Sequence, residues 1–427
     1  MEKTKMEKRD EYKSSRTLFI FEALIEYLVA ILVGGAYLAK LTSYMGISDA
    51  LTGILTSFGM LGCSFQLVAV FLAGKRPFKP WVSILHTVNQ LFFTFLYLVP
   101  IVPVSKAVKT VIFIFMLLGG QIINYIINSP KLNWFMDLVD EKKRGSFTAT
   151  KEIISLLGGM IFTFVMGNIV DRYDAIGNTG AVLAVGAITL FVLTTLHTLT
   201  LIFSKEKPVE KKETAPALAR IKETIKNKKF IRACIMLSLF HVAHNCATPF
   251  YGSYQIKELG FSMTFVSILS AVYAVVRSSF SRPFGRFADK YSFLKMMNIC
   301  YIIIFVAYTV NVFTVPANGR IFYTAYYALV AVASAGINSG TMNVIFECAD
   351  RERRVESLAL SYAVCGLSGF FSTLATSPLV SYIQKNGNKI FGISAYAQQV
   401  VSLIAAALMV CVIIYLNTVM RKNDEKE

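Results

Sequence analysis

The chain alternates long apolar stretches with short polar ones, and twelve of the apolar stretches are long enough to matter. They run over residues 18–40, 50–73, 81–103, 108–135, 147–171, 179–203, 230–256, 262–284, 293–314, 321–347, 356–383 and 394–418. About 20 apolar residues in a helix cross the roughly 30 Å of bilayer hydrocarbon. Backbone donors and acceptors in that solvent need internal partners, so a spanning segment is a helix or part of a closed barrel. Barrel strands alternate in hydrophobicity residue by residue and these stretches do not, so the pattern predicts an all-α membrane protein.

The polar breaks divide the spans into two sets of six. The longest central break, 204–229, is basic and reads as a linker, with a short surface helix expected over 215–228 carrying Leu218, Ile221 and Ile225 on one face. The expected organisation is a tail (1–17), a six-helix bundle (18–203), the linker (204–229), a second bundle (230–418) and a closing tail (419–427). A repeat supports the division. Asn128, Ser129, Asn133, Asp140 and Arg144 recur at constant offset as Asn338, Ser339, Asn343, Asp350 and Arg354, with Asp137 answered by Glu347 and Lys143 by Arg353. Each copy is the polar end of an apolar run followed by a charged turn, so the halves are expected to be pseudo-symmetric, with a site between them.

Composition agrees with this picture: 55% hydrophobic, 16% charged, mean hydropathy +0.55. The net charge of +17 would suggest nucleic acid if it were clustered on one soluble face, but its distribution follows topology. With both termini inside, only Lys40, Lys106, Lys109, Arg172, Lys257, Arg320, Lys385 and Lys389 fall outside and Arg277 lies within a span. That is the positive-inside pattern. It predicts cytoplasmic termini in the plasma membrane, lipid as the contact of the basic loops, and no nucleic-acid partner. Glu22 and Glu26 in the first apolar run argue against a cleavable signal core. The seven cysteines have no metal or disulfide spacing and read as small apolar fillers. The chain lacks a Walker-type phosphate loop and a Ser/His/Asp arrangement. It is therefore expected not to be an enzyme and to need neither cofactor nor metal.

Ionisable groups inside spans are costly and usually face a cavity or a partner. Glu22 and Glu26 lie one helical turn apart on span one, and Glu26, deeper in the span, is the first candidate for proton coupling. Span seven holds His241, His244 and Asn245 before a backbone break at Pro249, so His244 and His241 are second candidates. Candidate substrate contacts are Gln121 and Asn124, which share a stripe with Asn128 on span four, together with Asn245, Arg277, Asn338 and Tyr362. Span eleven adds Ser368, Ser372 and Thr376, although amide and hydroxyl stripes also hold helices together. Tyr27, Tyr37, Tyr251, Tyr254 and Tyr273 sit on spans expected to face a cavity. Arg277 could pair with an intramembrane carboxylate, Glu26 among them, bind an anionic solute or reach to the surface. His86 and His197, nearer the ends of spans three and six, read as structural.

Two halves of six spans, a basic linker and internal termini resemble the major facilitator superfamily of secondary transporters. The most specific likeness is the segment after span eight, Gly285 to Lys295 (GRFADKYSFLK), which is similar to the family's loop signature: glycine, then aspartate and a cation four and five positions on. By that resemblance Gly285 allows close helix contact, while Asp289 and Lys290 belong to a gate. Asp289 would meet the start of span five near Arg144 and Gly145, and Asp140/Arg144 and Asp350/Arg354 would be matching gate elements. The first-half loop (FLAGKRP, 71–77) departs from the signature, with Gly74 where the aspartate should stand. The resemblance implies alternating access about a central site formed by spans one, four, seven, eight, ten and eleven. The favoured expectation is a monomeric, proton-coupled symporter of a small polar organic solute. The alternatives are proton-driven efflux of amphipathic or cationic compounds and, in another class, a lipid flippase or a non-transporting solute sensor. Span four lacks an intramembrane arginine motif and span five a Gly-Pro signature, which weighs against drug efflux.

Overall fold

The computed structural model describes residues 11–72, 77–140, 144–208, 217–350 and 353–421. Gly74 and Lys143 lie outside them. Among the described residues ten helices are long and apolar enough to cross a membrane, eleven when the bent pair Lys13–Leu32 and Gly35–Tyr44 is taken as one span. The remaining expected span, span three, is also helical (Lys79–Leu96), but His86, Asn89 and Gln90 interrupt its apolar course. Span two is assembled from three short helices, Asp49–Thr56, Phe58–Ser64 and Gln66–Leu72. Spans four, five and six are Lys106–Met136, Arg144–Ala175 and Thr179–Phe203. Spans eight to twelve are Met263–Lys290, Phe293–Val312, Gly319–Cys348, Arg354–Lys385 and Ala397–Tyr415.

Within the first half, span three packs on spans four and six, and span one on spans five and six. Within the second half, span nine packs on ten and twelve, and span seven on eleven and twelve. The halves meet where span eleven lies along span two and span eight along span five.

Spans one and seven are both broken midway, and the breaks face each other. Span one bends by 43° at Gly34 and Gly35, and Gly35 adopts φ +50, a conformation open mainly to glycine. Span seven's first helix, Lys228–Asn245, stops short of Pro249, and the chain passes through a tight turn at Thr248–Phe250 before resuming to Glu258. A Cβ on Gly252 would stand 2.7 Å from the Gly35 carbonyl oxygen, so the two breaks pass backbone to backbone.

The linker helix is Ala217–Lys226. Arg220 ties it to span eleven through Glu356 at 2.5 Å, and Thr224 is its buried position, while Leu218 and Ile225 are exposed. Between spans eleven and twelve a two-stranded antiparallel hairpin pairs Lys389 with Ser394 and Ile390 with Ile393. None of the seven cysteines, all among the described residues, is joined in a disulfide.

Polar contacts between the halves concentrate at the end of the bundle away from the linker. Lys257 bonds Asp49, and Gln384 donates to the other Asp49 oxygen at 2.7 Å. Asp171, at the end of span five, accepts from the backbone N–H groups of Met263 and Thr264 (both 2.8 Å) and from the Thr264 hydroxyl (2.6 Å). The first turn of span eight is thus capped by a carboxylate from the other half, which suits the positive end of a helix.

Candidate functional site

A cluster of ionisable groups lies inside the first half, contributed by four spans. Lys131 of span four places its Nζ 2.7 Å from Glu22 Oε1, 2.6 Å from Glu26 Oε2 and 3.1 Å from His86 Nε2. Three partners use the three hydrogens of an ammonium. His197 of span six places Nε2 2.9 Å from Glu22 Oε1, and the imidazoles of His86 and His197 meet edge to face at 4.1 Å. Glu22, His86, Lys131 and His197 are all buried. Partner chemistry assigns the tautomers: His86 Nε2 accepts from Lys131, and His197 Nε2–H donates to Glu22. With neutral imidazoles the group carries two carboxylates and one ammonium, hence one net negative charge. Among the described residues Glu22 Oε2, His86 Nδ1 and His197 Nδ1 are left without hydrogen-bond partners.

Glu22, His86 and His197 also group like metal ligands, with one ligand atom from each within 4.8 Å of the others. The Lys131 ammonium already stands among these atoms and supplies the positive charge that a metal ion would bring.

Two cavities adjoin. A small one of about 110 Å3 is lined by Glu26, Thr56, Gln90, Gln121 and Asn124 among apolar neighbours. It opens the cluster's outer carboxylate to amides on spans three and four. The larger, about 440 Å3, lies between the halves at the facing breaks of spans one and seven and shares Ala30 and Gly34 with the small one. Seven tyrosines line it: Tyr27 and Tyr37 from span one, Tyr251 from span seven, Tyr273 from span eight, and Tyr323, Tyr326 and Tyr327 from span ten. Thr163, His244, Thr248, Gln255 and Ser270 add polar groups. Among the described residues no Asp, Glu, Lys or Arg lines it. His244 receives or donates a 2.7 Å hydrogen bond between Nδ1 and the Tyr308 hydroxyl, which fixes its ring.

The model of the Major Facilitator Superfamily matches residues 18–373 and, in a second alignment, 233–426. The chain belongs to the major facilitator superfamily. It is a multi-pass membrane protein and, by family, a transporter of a solute. No curated protein matches the sequence. Solved structures match the fold at low identity: a mutant of the nucleoside transporter NupG (16% identity, TM-score 0.71, 94% of this chain and 98% of that one), a bacterial homologue of the human lysosomal transporter Spinster in an inward-facing, occupied conformation (14%, 0.65, 96% and 96%), and a D-xylose–proton symporter (14%, 0.64, 93% and 96%).

Against that architecture the residues singled out in the sequence separate. Glu22, Glu26, Gln121 and Asn124 converge on the cluster and its small cavity, and His244, Tyr27, Tyr37, Tyr251 and Tyr273 on the large one. Others lie elsewhere. Asn245 is buried, donates to the His241 carbonyl at 2.9 Å and accepts from Thr373 through its own carbonyl, which makes it a fastener of span seven to span eleven. His241 packs against Phe240 and lines neither cavity, its Nδ1 unpartnered. Arg277 pairs with Glu152 of span five at 2.9 Å rather than with Glu26, and Asn338 and Tyr362 are absent from both linings. Tyr254 donates to the Thr314 carbonyl at 2.6 Å. His86 and His197, read as peripheral structural residues, prove to be central to the cluster, because spans three and six turn them toward span one.

The gate residues need a similar correction. Span eight continues as helix through Lys290, so Gly285 and Asp289 occupy its last turns and not a loop. A Cβ on Gly285 would meet nothing within 4 Å; the close helix contact expected of this glycine is not made in this conformation. Asp350 pairs locally with Arg353 at 3.3 Å, and Arg354 lies over the Phe346 ring. Asp140 and Arg144 flank the segment 141–143, which is outside the described residues.

Lys131 was missed, although a signal for it existed. Gln121, Asn124 and Asn128 form a stripe with helical spacing, and the next member of that series is position 131. Pro130 and the charged turn beyond it made the segment read as a helix end. The helix instead runs through Pro130 to Met136.

Proposed function

We propose that the chain is a proton-coupled transporter that moves a small polar organic solute across the plasma membrane by alternating access, acting as a monomer with both termini cytoplasmic. The buried cluster of Glu22, Glu26, His86, Lys131 and His197 carries the reading. Charges taken out of water are costly unless paired, and this set keeps one net negative charge and three unpartnered polar atoms beside a polar cavity. In this reading Glu26 is the group that exchanges the proton. It is the less buried carboxylate, 28% exposed against 0% for Glu22, and it faces Gln90, Gln121 and Asn124. Protonation of Glu26 weakens its hold on Lys131, which shifts the ammonium toward Glu22 and alters the packing of span four against span one. The shared wall at Ala30 and Gly34, beside the break in span one, links that change to the large cavity. The fastened end near Asp49, Lys257 and Asp171 fits a state closed on the side away from the linker. The likeness to a D-xylose–proton symporter and a nucleoside transporter supports a coupled carrier of a polar solute.

The test is accumulation in proteoliposomes under an imposed proton gradient. Glu26→Gln is expected to abolish uphill accumulation while downhill exchange survives; accumulation equal to that of the parent chain would refute the coupling role.

A second reading has its own observation. An almost wholly apolar groove of about 600 Å3, lined by Ile161, Phe164, Ile268, Val272 and Val275, runs between spans five and eight and shares Met160 with the large cavity. It suits an acyl chain entering sideways, as in a flippase. Movement of headgroup-labelled phospholipid in vesicles at rates above those of empty vesicles would favour it over the first reading.

A further inference from the structure

The large cavity's lining is specific enough to define a solute class, an inference that rests on the transporter reading above. We infer that the solute is uncharged, carries a flat ring and presents an N–H or O–H donor, as a nucleoside does.

Three observations carry this. First, Asp, Glu, Lys and Arg are absent from the described lining, and the carboxylate across the shared wall, Glu26, is already bonded to Lys131. A charged solute would lose its hydration there without gaining a counter-charge. Second, the walls are aromatic on both sides. Tyr27 from the first half and Tyr273 and Tyr327 from the second are the less buried of the seven tyrosines. Tyr323 and Tyr326 stand behind them, fully packed, and Tyr273 and Tyr327 meet edge to face at 6.4 Å. Rings held from both halves offer faces on which a flat solute stacks with offset geometry, and such a solute would bridge the two bundles. Third, Gln255 lines the cavity with its amide oriented by two tyrosines. Nε2 donates to the hydroxyl oxygens of Tyr323 (2.9 Å) and Tyr327 (3.1 Å), while Oε1 has no hydrogen-bond partner. A buried acceptor left unsatisfied is unfavourable, and a solute N–H or O–H supplies the missing bond. The hydroxyl of the less buried Tyr327, accepting from Gln255, keeps its own hydrogen for an acceptor on the same solute. A polyol without a flat face would use these polar groups but not the stacking walls. An apolar cation would use the walls but satisfy neither the charge nor Gln255.

The experiment is equilibrium binding to the purified full-length protein in detergent, with uridine, adenosine, xylose and tetraphenylphosphonium as probes. Uridine or adenosine is expected to bind at least tenfold more tightly than xylose or tetraphenylphosphonium, and Gln255→Leu to weaken that binding at least tenfold. Binding of xylose or tetraphenylphosphonium as tight as that of both nucleosides overturns the inference, as does parent-like nucleoside binding by Gln255→Leu. Should Gln255→Leu fail to elute as a folded species, Tyr273 decides: Tyr273→Phe is expected to retain nucleoside binding and Tyr273→Ala to lose it tenfold, and equal binding by the two variants overturns the inference. Glu26→Gln separates this inference from the coupling reading. It is expected to lose uphill accumulation and, because a change at Glu26 reaches the large cavity through Ala30 and Gly34, to shift nucleoside affinity without reversing the preference for nucleoside over xylose and tetraphenylphosphonium. Nucleoside binding through Gln255 combined with accumulation indifferent to Glu26 would sink the coupling reading and leave the solute class standing.

Discussion

The two halves share a fold and part of a sequence, yet they handle polarity in opposite ways. In the first half, spans one, three, four and six bring two carboxylates, an ammonium and two imidazoles into one buried cluster. In the second half the corresponding interior is aromatic and neutral: Tyr251, Tyr301, Tyr308, Tyr323 and Tyr326 are buried, and His244 is held by Tyr308. The repeat locates the divergence. Asn128, Ser129 and Asn133 return as Asn338, Ser339 and Asn343, but the position of Lys131 is taken by Thr341. The symmetric residues hold matching places within spans four and ten, and the asymmetric one anchors the charge network. Under the proposed function this difference is a division of labour, with proton chemistry assigned to the first half and the aromatic wall of the solute site mainly to the second. The large cavity lies where the halves meet.

The strongest way to break this comparison is to remove Lys131. Lys131→Met strands Glu22 and Glu26 without their shared cation, and loss of one partner from a buried ion network costs about 3–5 kcal/mol. The expected outcome is a clear drop in unfolding temperature in detergent and no gradient-driven uptake. Adding Glu22→Gln should recover part of the stability, because the residual buried charge falls, but not the coupling. If Lys131→Met unfolds with the parent chain, the cluster is not the energetic centre of the first half.

How much of this was legible in the sequence follows from what each feature depends on. The twelve spans and the halves depend on runs of apolar residues and on charge between them, which are local. The break at Pro249 was visible for the same reason. The break at Gly34 and Gly35 was not, because two glycines in an apolar run are also compatible with an unbroken span. Glu22 and Glu26 stood out as costly residues in an apolar run, whereas Lys131 hid beside a proline and a charged turn, where lysine is ordinary. His86 and His197 stood out to no purpose. Their importance depends on how spans three and six are rotated about their axes, and that is set by packing against span one. Tyr323, Tyr326 and Tyr327 read as three aromatics among many, since period alone does not tell a cavity wall from a lipid-facing one.

A smaller effect tests the second half. Tyr308→Phe removes the hydroxyl that fixes His244 Nδ1 and leaves the ring in place. A single buried hydrogen bond contributes about 1 kcal/mol net, so the variant should lose roughly that much stability and bind solute a fewfold more weakly through a looser His244. Its dependence of uptake on the proton gradient should be unchanged, since His244 is outside the ion cluster. A loss of coupling in Tyr308→Phe with intact binding would mean that the second half shares the proton chemistry, and the division between halves would fall.

The smallest effect is expected where the halves exchange a charge pair near the surface. Arg277 and Glu152 meet at 2.9 Å, but the glutamate side chain is 52% exposed. Such pairs are screened and contribute about 0–1 kcal/mol. Arg277→Ala should therefore leave unfolding temperature and solute affinity near parent values. What it should change is the balance between conformations, because this contact ties span five to span eight across the two halves while Asp171 ties the same two spans at their other end. Cysteines placed at 152 and 277 in a chain otherwise free of cysteine should lock transport when cross-linked, and reduction should release it. Transport unaffected by that cross-link would show that spans five and eight do not separate at this end during the cycle.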